Sequence, residues 1–441
     1  MGAAMYRKAI EELKKWKMSP RRKPLILQGA RQSGKTWLMK EFGRLEYKST
    51  AYLSCQENPA LEALFDAPFD RDRLLNGFQL LCGFKIEKGS TLIILDEIQD
   101  IPKAITALKF FCEQAAEYHV ICAGSLLGVS LHEGISFPVG KVNFLNLYPL
   151  TFSEFLMAIG KEQHASLINA KKADASLVKS FSADFKEFLR YYFFIGGMPE
   201  AVSAWVETGD FAEVRRVQKE LLRTYENDVS KHTTKETANK IRQVLYSLPG
   251  QLAKENKKFL YSVVKASARA REYENAINWL KNAGLLIKVF RTNKPGIPLK
   301  AYEDLDAFKI FALDTGLLCS MTNLSAKVLL EGNRLFTEFK GALTEQFVCQ
   351  QLISEFGIEP YYWSSKDGTA ELDFIFQNDD EIVPVEVKAE INLQAKSLKT
   401  YREAYTPATA FRFSLADYED HGVLKDCPLY ALPMIREFLK V

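Results

Sequence analysis

The segment "LILQGARQSGKT" at residues 25–36 constrains the fold of this chain more than any other. Three apolar residues predict a short buried strand, and Gly29 is followed after four residues by Gly34, Lys35 and Thr36. Such a loop wraps its backbone N–H groups around phosphate oxygens, while the lysine contacts the β- and γ-phosphates and the hydroxyl reaches Mg²⁺. The helix that follows presents its positive dipole end to the anion. The predicted nucleotide contacts are Gly29, Ala30, Arg31, Gln32, Ser33, Gly34, Lys35, Thr36 and Trp37.

A second element supports a nucleotide site. The run "TLIILDEIQD" at residues 91–100 is continuously apolar until Asp96 and Glu97, as expected of a central strand in a parallel sheet. Asp96 at the carboxyl end of that strand can hold Mg²⁺ through water, and Glu97 can polarise the water that attacks the γ-phosphate. Two acids after four aliphatic residues could also mark a plain strand exit, but their pairing with the phosphate loop favours the catalytic interpretation.

A third strand is predicted in "HVICAGSLLG" at residues 119–128, which ends in Gly124 and Ser125. In an ATPase with one strand between the phosphate loop and the acid pair, a polar side chain at this point can contact the γ-phosphate or the attacking water. Ser125 is therefore a candidate catalytic residue, although it could equally cap a helix.

An ordered set of motifs along the chain resembles one family. The segments are "KPLILQGARQSGKTWL", "LDEIQD", "ALKFFCE", "CAGSLLGVSL", "SFPVGKV", "LYPLTFSEFL" and "FFIGGMPEAV". Together they are similar to the AAA-type ATP-binding proteins of bacteria and archaea that carry a C-terminal domain of unassigned function. The resemblance implies an ATPase core of the ASCE type that uses ATP and Mg²⁺, with Glu97 as the catalytic acid. No arginine finger is evident, and Lys141 either acts in trans, which would require a homo-oligomer, or is structural.

The middle of the chain is predicted to be a helical lid followed by a winged helix. Helical periodicity covers residues 151–235, and a helix–helix–helix–strand–strand order covers residues 236–318, in agreement with the family resemblance. Residues 254–271 carry a basic cluster that could contact DNA phosphates or could form a solvated face used for protein contact. Its basic members are Lys254, Lys257, Lys258, Lys265, Arg269 and Arg271, against the single acid Glu255.

A helix predicted at residues 340–357 places one acid among apolar residues. Val348 and Cys349 lie three and four residues after Glu345, and Leu352 lies seven after it, so this glutamate shares their stripe. A carboxylate on a core-facing stripe is costly without a partner or a metal. Glu345 is therefore expected to point inward, towards a sheet.

The following segment, "AELDFIFQNDDEIVPVEVKAE" at residues 370–390, predicts a β-hairpin whose two strands each carry a charged face. Asp373 and the Glu386-x-Lys388 pair resemble the site of PD-(D/E)XK nucleases, with Glu345 matching the acid of the preceding helix. The resemblance implies Mg²⁺ at Asp373 and Glu386, although Leu372 stands where the motif has proline. A buried ion-pair cluster of the same four residues remains the alternative.

Composition adds only broad limits. The chain has 441 residues and a net charge of +3, so a nucleic-acid partner must be sought in local patches. No apolar run is long enough to cross a membrane, and seven scattered cysteines without a C-x-x-C pair favour a reducing, cytoplasmic setting. The predicted function is an ATP-hydrolysing switch acting on nucleic acid, with a signalling or assembly ATPase as the alternative. The predicted α/β organisation is an ATPase core at 1–155, a helical lid at 156–235, a winged helix at 236–325 and a nuclease-like domain at 326–441.

Overall fold

The computed structural model describes residues 5–124, 138–254, 258–331, 337–390 and 396–440. The chain divides into two compact units. The amino-terminal unit comprises Arg7–Tyr148 with Asn282–Gly284, and the carboxy-terminal unit comprises Met1–Tyr6, Pro149–Lys281 and Leu285–Val441. Three residues of the predicted sites and patches, Ser125, Glu255 and Lys257, lie outside the described residues.

The amino-terminal unit is built around a five-stranded sheet in the order β2-β3-β4-β1-β5. All of its strand pairs are parallel. Strand β4 lies between β1, which precedes the phosphate loop, and β3, which ends in Asp96, in agreement with the ASCE type that the family resemblance implied. The elements are α1 Ala9–Met18, β1 Leu25–Gln28, α2 Lys35–Glu46, β2 Ser49–Ser54, α3 Pro59–Asp66, α4 Arg71–Cys82, β3 Thr91–Asp96, α5 Pro102–Gln114, β4 His119–Ala123 and β5 Asn143–Asn146.

Apolar side chains from both faces of this sheet are buried. Ile26 belongs to a core shared with α3, α4 and α5, whereas its neighbours Leu25 and Leu27 belong to a core shared with α1 and α2. Successive strand residues point to opposite faces, so a strand covered by helices on both sides must be apolar throughout. This requirement explains the unbroken apolar run before Asp96. The parallel pairing of β1 and β3 with β4 places the carboxyl ends of both strands at one edge of the sheet.

The carboxy-terminal unit begins with helices and ends with a mixed α/β region. Its elements are α6 Phe152–Ala158, α7 Glu162–Asn169, α8 Ala175–Ser180, α9 Ser182–Ile195, α10 Pro199–Thr208, α11 Phe211–His232, α12 Lys235–Leu252, α13 Tyr261–Val264, α14 Ala270–Asn282, β6 Leu286–Thr292, β7 Asp304–Ala312, α15 Thr315–Met321, α16 Ala326–Glu331, α17 Thr337–Phe356, β8 Tyr361–Ser364, β9 Glu371–Asn378, β10 Glu381–Val387, α18 Lys396–Tyr405, β11 Ala410–Ser414, β12 Glu419–His421 and β13 Leu424–Pro428. A 3₁₀ segment follows at Leu429–Phe438.

One eight-stranded sheet runs through this region in the order β12-β13-β11-β10-β9-β8-β6-β7. Strands β6 and β7, which the sequence assigned to the winged helix, pair with each other antiparallel, and β6 also pairs parallel with β8. The predicted boundary at residue 325 therefore crosses a continuous sheet. The four-domain division itself stays a prediction.

The predicted hairpin is present as β9 and β10. The antiparallel register sets Asn378 opposite Glu381, so the turn consists of Asp379 and Asp380. Asp379 has a φ of 56°, a left-handed conformation that aspartate tolerates better than most residues. Because side chains alternate along each strand, Glu371 and Asp373 share one face of β9.

Candidate nucleotide site and C-terminal carboxylate cluster

The loop between β1 and α2 has the backbone geometry that its glycines permit. A side chain at Gly29 would place its Cβ 2.3 Å from the Leu147 carbonyl oxygen, so only glycine fits there. Gly34 has a φ of 93° immediately before α2 begins at Lys35. Only glycine adopts such left-handed angles without strain. The loop therefore turns tightly and leads directly into the first turn of a helix, which is the setting of an anion site.

Lys35 is held by the loop that it serves. Its Nζ donates hydrogen bonds to the carbonyl oxygens of Gly29 at 3.0 Å and Ala30 at 2.9 Å. Burial lowers the pKa of Lys35 to about 8, although the nearby carboxylates of Glu97 and Asp96 act in the opposite direction. A bound phosphate would add negative charge beside this desolvated ammonium and would thereby stabilise its protonated form. The lysine is thus already placed inside the loop.

Asp96 joins the phosphate loop to the acid end of β3. Its Oδ2 accepts a hydrogen bond from Thr36 Oγ1 at 2.7 Å and another from Tyr52 Oη at 3.0 Å. The aspartate is 3% exposed. A carboxylate beside a hydroxyl is a donor set that suits Mg²⁺, which prefers oxygen ligands. Thr36 and Asp96 are therefore the residues that would hold this ion together with a nucleotide.

Glu97 lies next to Asp96 in a left-handed backbone conformation, with a φ of 50°. Non-glycine residues adopt this conformation rarely, and it often marks functional sites. The Gln99 Nε2 donates a hydrogen bond of 2.7 Å to Glu97 Oε2. The carboxylate predicted to activate water thus has a fixed neighbour two residues further along the chain.

Arg7 braces the phosphate loop from outside the motif. Its guanidinium donates hydrogen bonds to the carbonyl oxygens of Ser33 at 3.1 Å and Tyr148 at 2.6 Å. The side chain is buried, with 4% of the residue exposed. Charge-assisted hydrogen bonds of this kind hold backbone segments in place.

The remaining predicted residues of this site are more peripheral. Gln32 and Trp37 are exposed, and Arg31 is half-buried. Lys141, the candidate for action in trans, forms a surface ion pair with Glu113 at 2.9 Å. Ser125 follows β4 but lies outside the described residues, so its role stays a prediction.

The C-terminal residues that resemble a nuclease site lie close together. Glu345 is 7% exposed and Glu386 is 5% exposed, so the inward orientation expected of Glu345 is confirmed. The Asp373 Oδ2 accepts a hydrogen bond from the Val387 backbone N–H at 2.7 Å, and Lys388 Nζ lies 2.6 Å from Glu386 Oε1. Burial raises the pKa of the Glu386 carboxyl, against the effect of Lys388, and the charge of Glu345 adds to the rise.

A further lysine completes this cluster. Lys309, on β7, has a side chain that is 1% exposed, and its Nζ lies 2.7 Å from Glu371 Oε1. The same ammonium lies 4.7 Å from the centre of the Tyr362 ring. Burial alone would lower the pKa of Lys309, but the carboxylates of Glu371, Glu345 and Asp373 raise it above its ordinary value. This lysine carries its charge inside the protein.

Sequence reasoning missed four residues of these two sites: Arg7, Tyr52, Gln99 and Lys309. Gln99 lies within the "LDEIQD" motif, where its proximity to Glu97 could have suggested a role. Lys309 interrupts the apolar run "AFKIFAL", and a lysine in a buried strand is rarely tolerated without a partner. Arg7 and Tyr52 carried no comparable signal, because their contacts depend on the tertiary fold.

The fold and the site define the class of the amino-terminal unit. A parallel sheet whose first strand leads through a glycine loop into a helix, with an acid pair two strands away, is that of a P-loop nucleoside triphosphatase. Residues 21–156 match the AAA domain family, and the chain thus carries an AAA-type P-loop ATPase domain. Two other stretches match domains of unknown function, DUF8612 at residues 186–328 and DUF4143 at residues 340–431. No curated protein matches the chain.

Three solved structures illustrate a distant similarity to the chain. The Aeropyrum pernix Orc1 protein in complex with DNA has 14% identity and a TM-score of 0.29, covering 72% of this chain and 91% of that one. Cdc6p from Pyrobaculum aerophilum has 12% identity and a TM-score of 0.26, covering 74% and 93%. The Thermotoga maritima RuvB Holliday junction branch migration motor has 15% identity and a TM-score of 0.28, covering 64% and 89%. Similarities this weak do not bear on the function of the chain.

Within the described ranges, no helix has both the length and the apolar character that a membrane span requires.

Proposed function

We propose that this protein hydrolyses ATP and acts as a nucleotide-dependent switch on nucleic acid. The observation that carries the proposal is the 2.7 Å hydrogen bond between Thr36 and Asp96, which brings the phosphate loop and the acid end of β3 into one site. Lys35 would neutralise the β- and γ-phosphates from the position that it already holds. Glu97, steadied by Gln99, would accept a proton from the attacking water.

Mg²⁺ at Thr36 and Asp96 would neutralise phosphate charge that develops during transfer. The loop N–H groups and Lys35 would orient the triphosphate, and Asp96 would keep Thr36 in place. For the protein to act as a switch, ATP must bind one of its conformations more tightly than another. The shift between these conformations cannot exceed that difference in binding free energy.

The proposed action on nucleic acid rests on the basic cluster. Lys254, Lys265, Arg269 and Arg271 are exposed. Of these four, none forms an ion pair with a described carboxylate, so their charges are available to phosphates. The helices and strands around them follow the order of a winged helix, which supports a DNA-binding role.

The C-terminal cluster supports a second candidate activity, Mg²⁺-dependent cleavage of nucleic acid. Asp373 and Glu386 would hold the ion, Lys388 would lie beside the scissile phosphate, and Glu345 would orient a ligand or water. The observation that favours it is the convergence of these residues from α17, β9 and β10. A non-catalytic binding module in a signalling or assembly ATPase is the alternative, since buried ion pairs also serve structural purposes.

One experiment separates these functions. ATP turnover is measured with and without DNA, and DNA cleavage is measured with Mg²⁺, for the wild type, Asp373→Asn and the control Asp379→Asn, which makes the same change on the exposed turn of the same hairpin. Turnover that rises with DNA in all three proteins supports the switch, and cleavage abolished only in Asp373→Asn supports the nuclease. Turnover that is indifferent to DNA, with no change in DNA mobility, rejects action on nucleic acid.

A further inference from the structure

The charged face of the C-terminal hairpin meets a lysine from a distant strand. Lys309 reaches from β7 to Glu371 at the start of β9, and its ammonium also lies 4.7 Å from the Tyr362 ring of β8. A fully buried lysine is rare, because removing an ammonium from water is costly unless carboxylates surround it. Its placement over this face therefore requires the acids that the hairpin supplies.

Among the residues that the structure describes, this cluster contains more carboxylates than ammonium groups. The four carboxylates are Glu345, Glu371, Asp373 and Glu386, while Lys309 and Lys388 are the ammonium groups that interact with them. The described carboxylates of the cluster thus outnumber its described ammonium groups by two, and carboxylate oxygens are the ligands that hard divalent cations prefer.

A buried acceptor in the same cluster points to a ligand. The second carboxylate oxygen of Glu386, Oε2, accepts no hydrogen bond from the residues that the structure describes. The residue is 5% exposed, and its other oxygen is bridged to Lys388 at 2.6 Å. A buried acceptor without a donor normally indicates a water or an ion.

We propose that Lys309 is a resident cation of this C-terminal site and sets how tightly the carboxylates of Glu345, Asp373 and Glu386 hold one divalent ion. The inference rests on the carboxylate site of the second candidate activity and extends it beyond the DUF4143 match at residues 340–431. Because Lys309 belongs to β7, the site is composite, and the C-terminal segment alone does not complete it. The Lys309 ammonium forms an ion pair with Glu371 and repels the positive charge of a divalent ion bound nearby.

The test measures Mn²⁺ binding to the full nucleotide-free chain by electron paramagnetic resonance, in an Asp96→Asn background that removes the acid of the nucleotide site. The wild-type cluster is expected to bind one Mn²⁺ that Asp373→Asn abolishes. Lys309→Met should bind Mn²⁺ about tenfold more tightly or better, the order expected when a unit charge near a divalent ion is removed from a partly buried site. Lys309→Arg keeps the charge and should stay within about threefold of the wild-type affinity.

Removal of Lys309 alone could prevent folding, because it leaves Glu371 without its cation. A second comparison avoids this difficulty, since Glu371→Gln and the double variant Lys309→Met/Glu371→Gln both lack that unpaired carboxylate. The double variant should bind Mn²⁺ about tenfold more tightly than Glu371→Gln. Equal affinity of these two proteins, or no Mn²⁺ site sensitive to Asp373→Asn, overturns the proposal. ATP turnover and DNA cleavage are scored separately, so failure here leaves the proposed function to its own test.

Discussion

The Gln99 side-chain amide donates a 2.7 Å hydrogen bond to the carboxylate of Glu97. This contact fixes the direction of the acid that we assign to water activation. We predict that Gln99→Leu lowers kcat for ATP by about tenfold to a hundredfold, because a small misplacement of a catalytic group has effects of this size. KM should change little, since the residues that we assign to phosphate binding are unchanged in this variant.

Steady-state ATP turnover and a separate nucleotide-binding titration check this prediction. Gln99→Glu should be at least as impaired, because it places a second negative charge beside Glu97. Glu62→Gln, an exposed change on α3, serves as the control. A Gln99→Leu protein with wild-type kcat would show that the hydrogen bond has no part in hydrolysis.

The brace formed by Arg7 gives a second prediction. Arg7→Met removes the donor to the Ser33 and Tyr148 carbonyls and should lower the free energy of unfolding by about 1–3 kcal/mol, the cost of leaving buried polar groups unsatisfied. It should also weaken ATP binding, since Ser33 belongs to the phosphate loop. Denaturant unfolding and nucleotide titration measure the two effects, with the exposed Arg21→Met as control. Unchanged ATP affinity would mean that the brace stabilises the fold alone.

Asp314 predicts a pH dependence of stability. It is fully buried, and it accepts hydrogen bonds from the backbone N–H groups of Gly197 at 2.6 Å and Leu317 at 3.0 Å. Burial raises the pKa of its carboxyl to about 6, although these hydrogen bonds act in the opposite direction. The folded state therefore binds this proton more tightly than the unfolded state does.

The sign of the effect follows from that difference. The stabilisation by the proton is complete below the unfolded pKa, about 4, and disappears as the pH rises to about 6, a change of ~3 kcal/mol. Asp314→Asn removes this titration, although the amide fits the site less well. The unfolding free energy of the wild type minus that of the variant should therefore fall by about 3 kcal/mol from pH 4 to pH 6. Urea denaturation at several pH values measures this difference. A difference that stays constant from pH 4 to pH 6 would contradict the assignment.

The basic cluster predicts a salt dependence. Replacing Lys265, Arg269 and Arg271 by glutamine should weaken DNA binding, with little regard to sequence. Each phosphate interaction that the substitutions remove should reduce the slope of log affinity against log salt by about 0.9 for duplex DNA. Fluorescence anisotropy at several salt concentrations measures this slope. The exposed pair Lys171→Gln/Lys172→Gln should keep the wild-type slope, and a triple variant that also keeps it would exclude the cluster from DNA binding.

The local features of the chain were predictable from its sequence. The phosphate loop, the acid pair and the hairpin each depend on neighbouring residues, because glycine placement, apolar runs and alternation determine backbone geometry directly. The buried position of Glu345 followed in the same way from its stripe on α17. The position of β4 between β1 and β3 agrees with the ASCE type that the family resemblance implied.

Contacts between distant segments were not predictable. The pairing of Arg291 with Tyr362 joins β6 to β8 and merges two predicted domains into one sheet, yet neither strand carries a local sign of its partner. Lys309 is a charged residue in an otherwise apolar stretch of β7. Its contact with Glu371 depends on the assembly of the whole sheet. Arg7 precedes the phosphate loop by a whole helix and a strand, so its role depends on the tertiary structure.

The most direct test of the proposed ATPase is a comparison of ATP binding and ATP turnover in Glu97→Gln. We expect this variant to bind ATP·Mg²⁺ within about threefold of the wild-type affinity, since Lys35, Thr36 and Asp96 remain. Turnover should fall by about a hundredfold or more, the usual contribution of a positioned base. Wild-type turnover in Glu97→Gln, or no detectable binding of ATP by the folded wild-type protein, would contradict the proposed function.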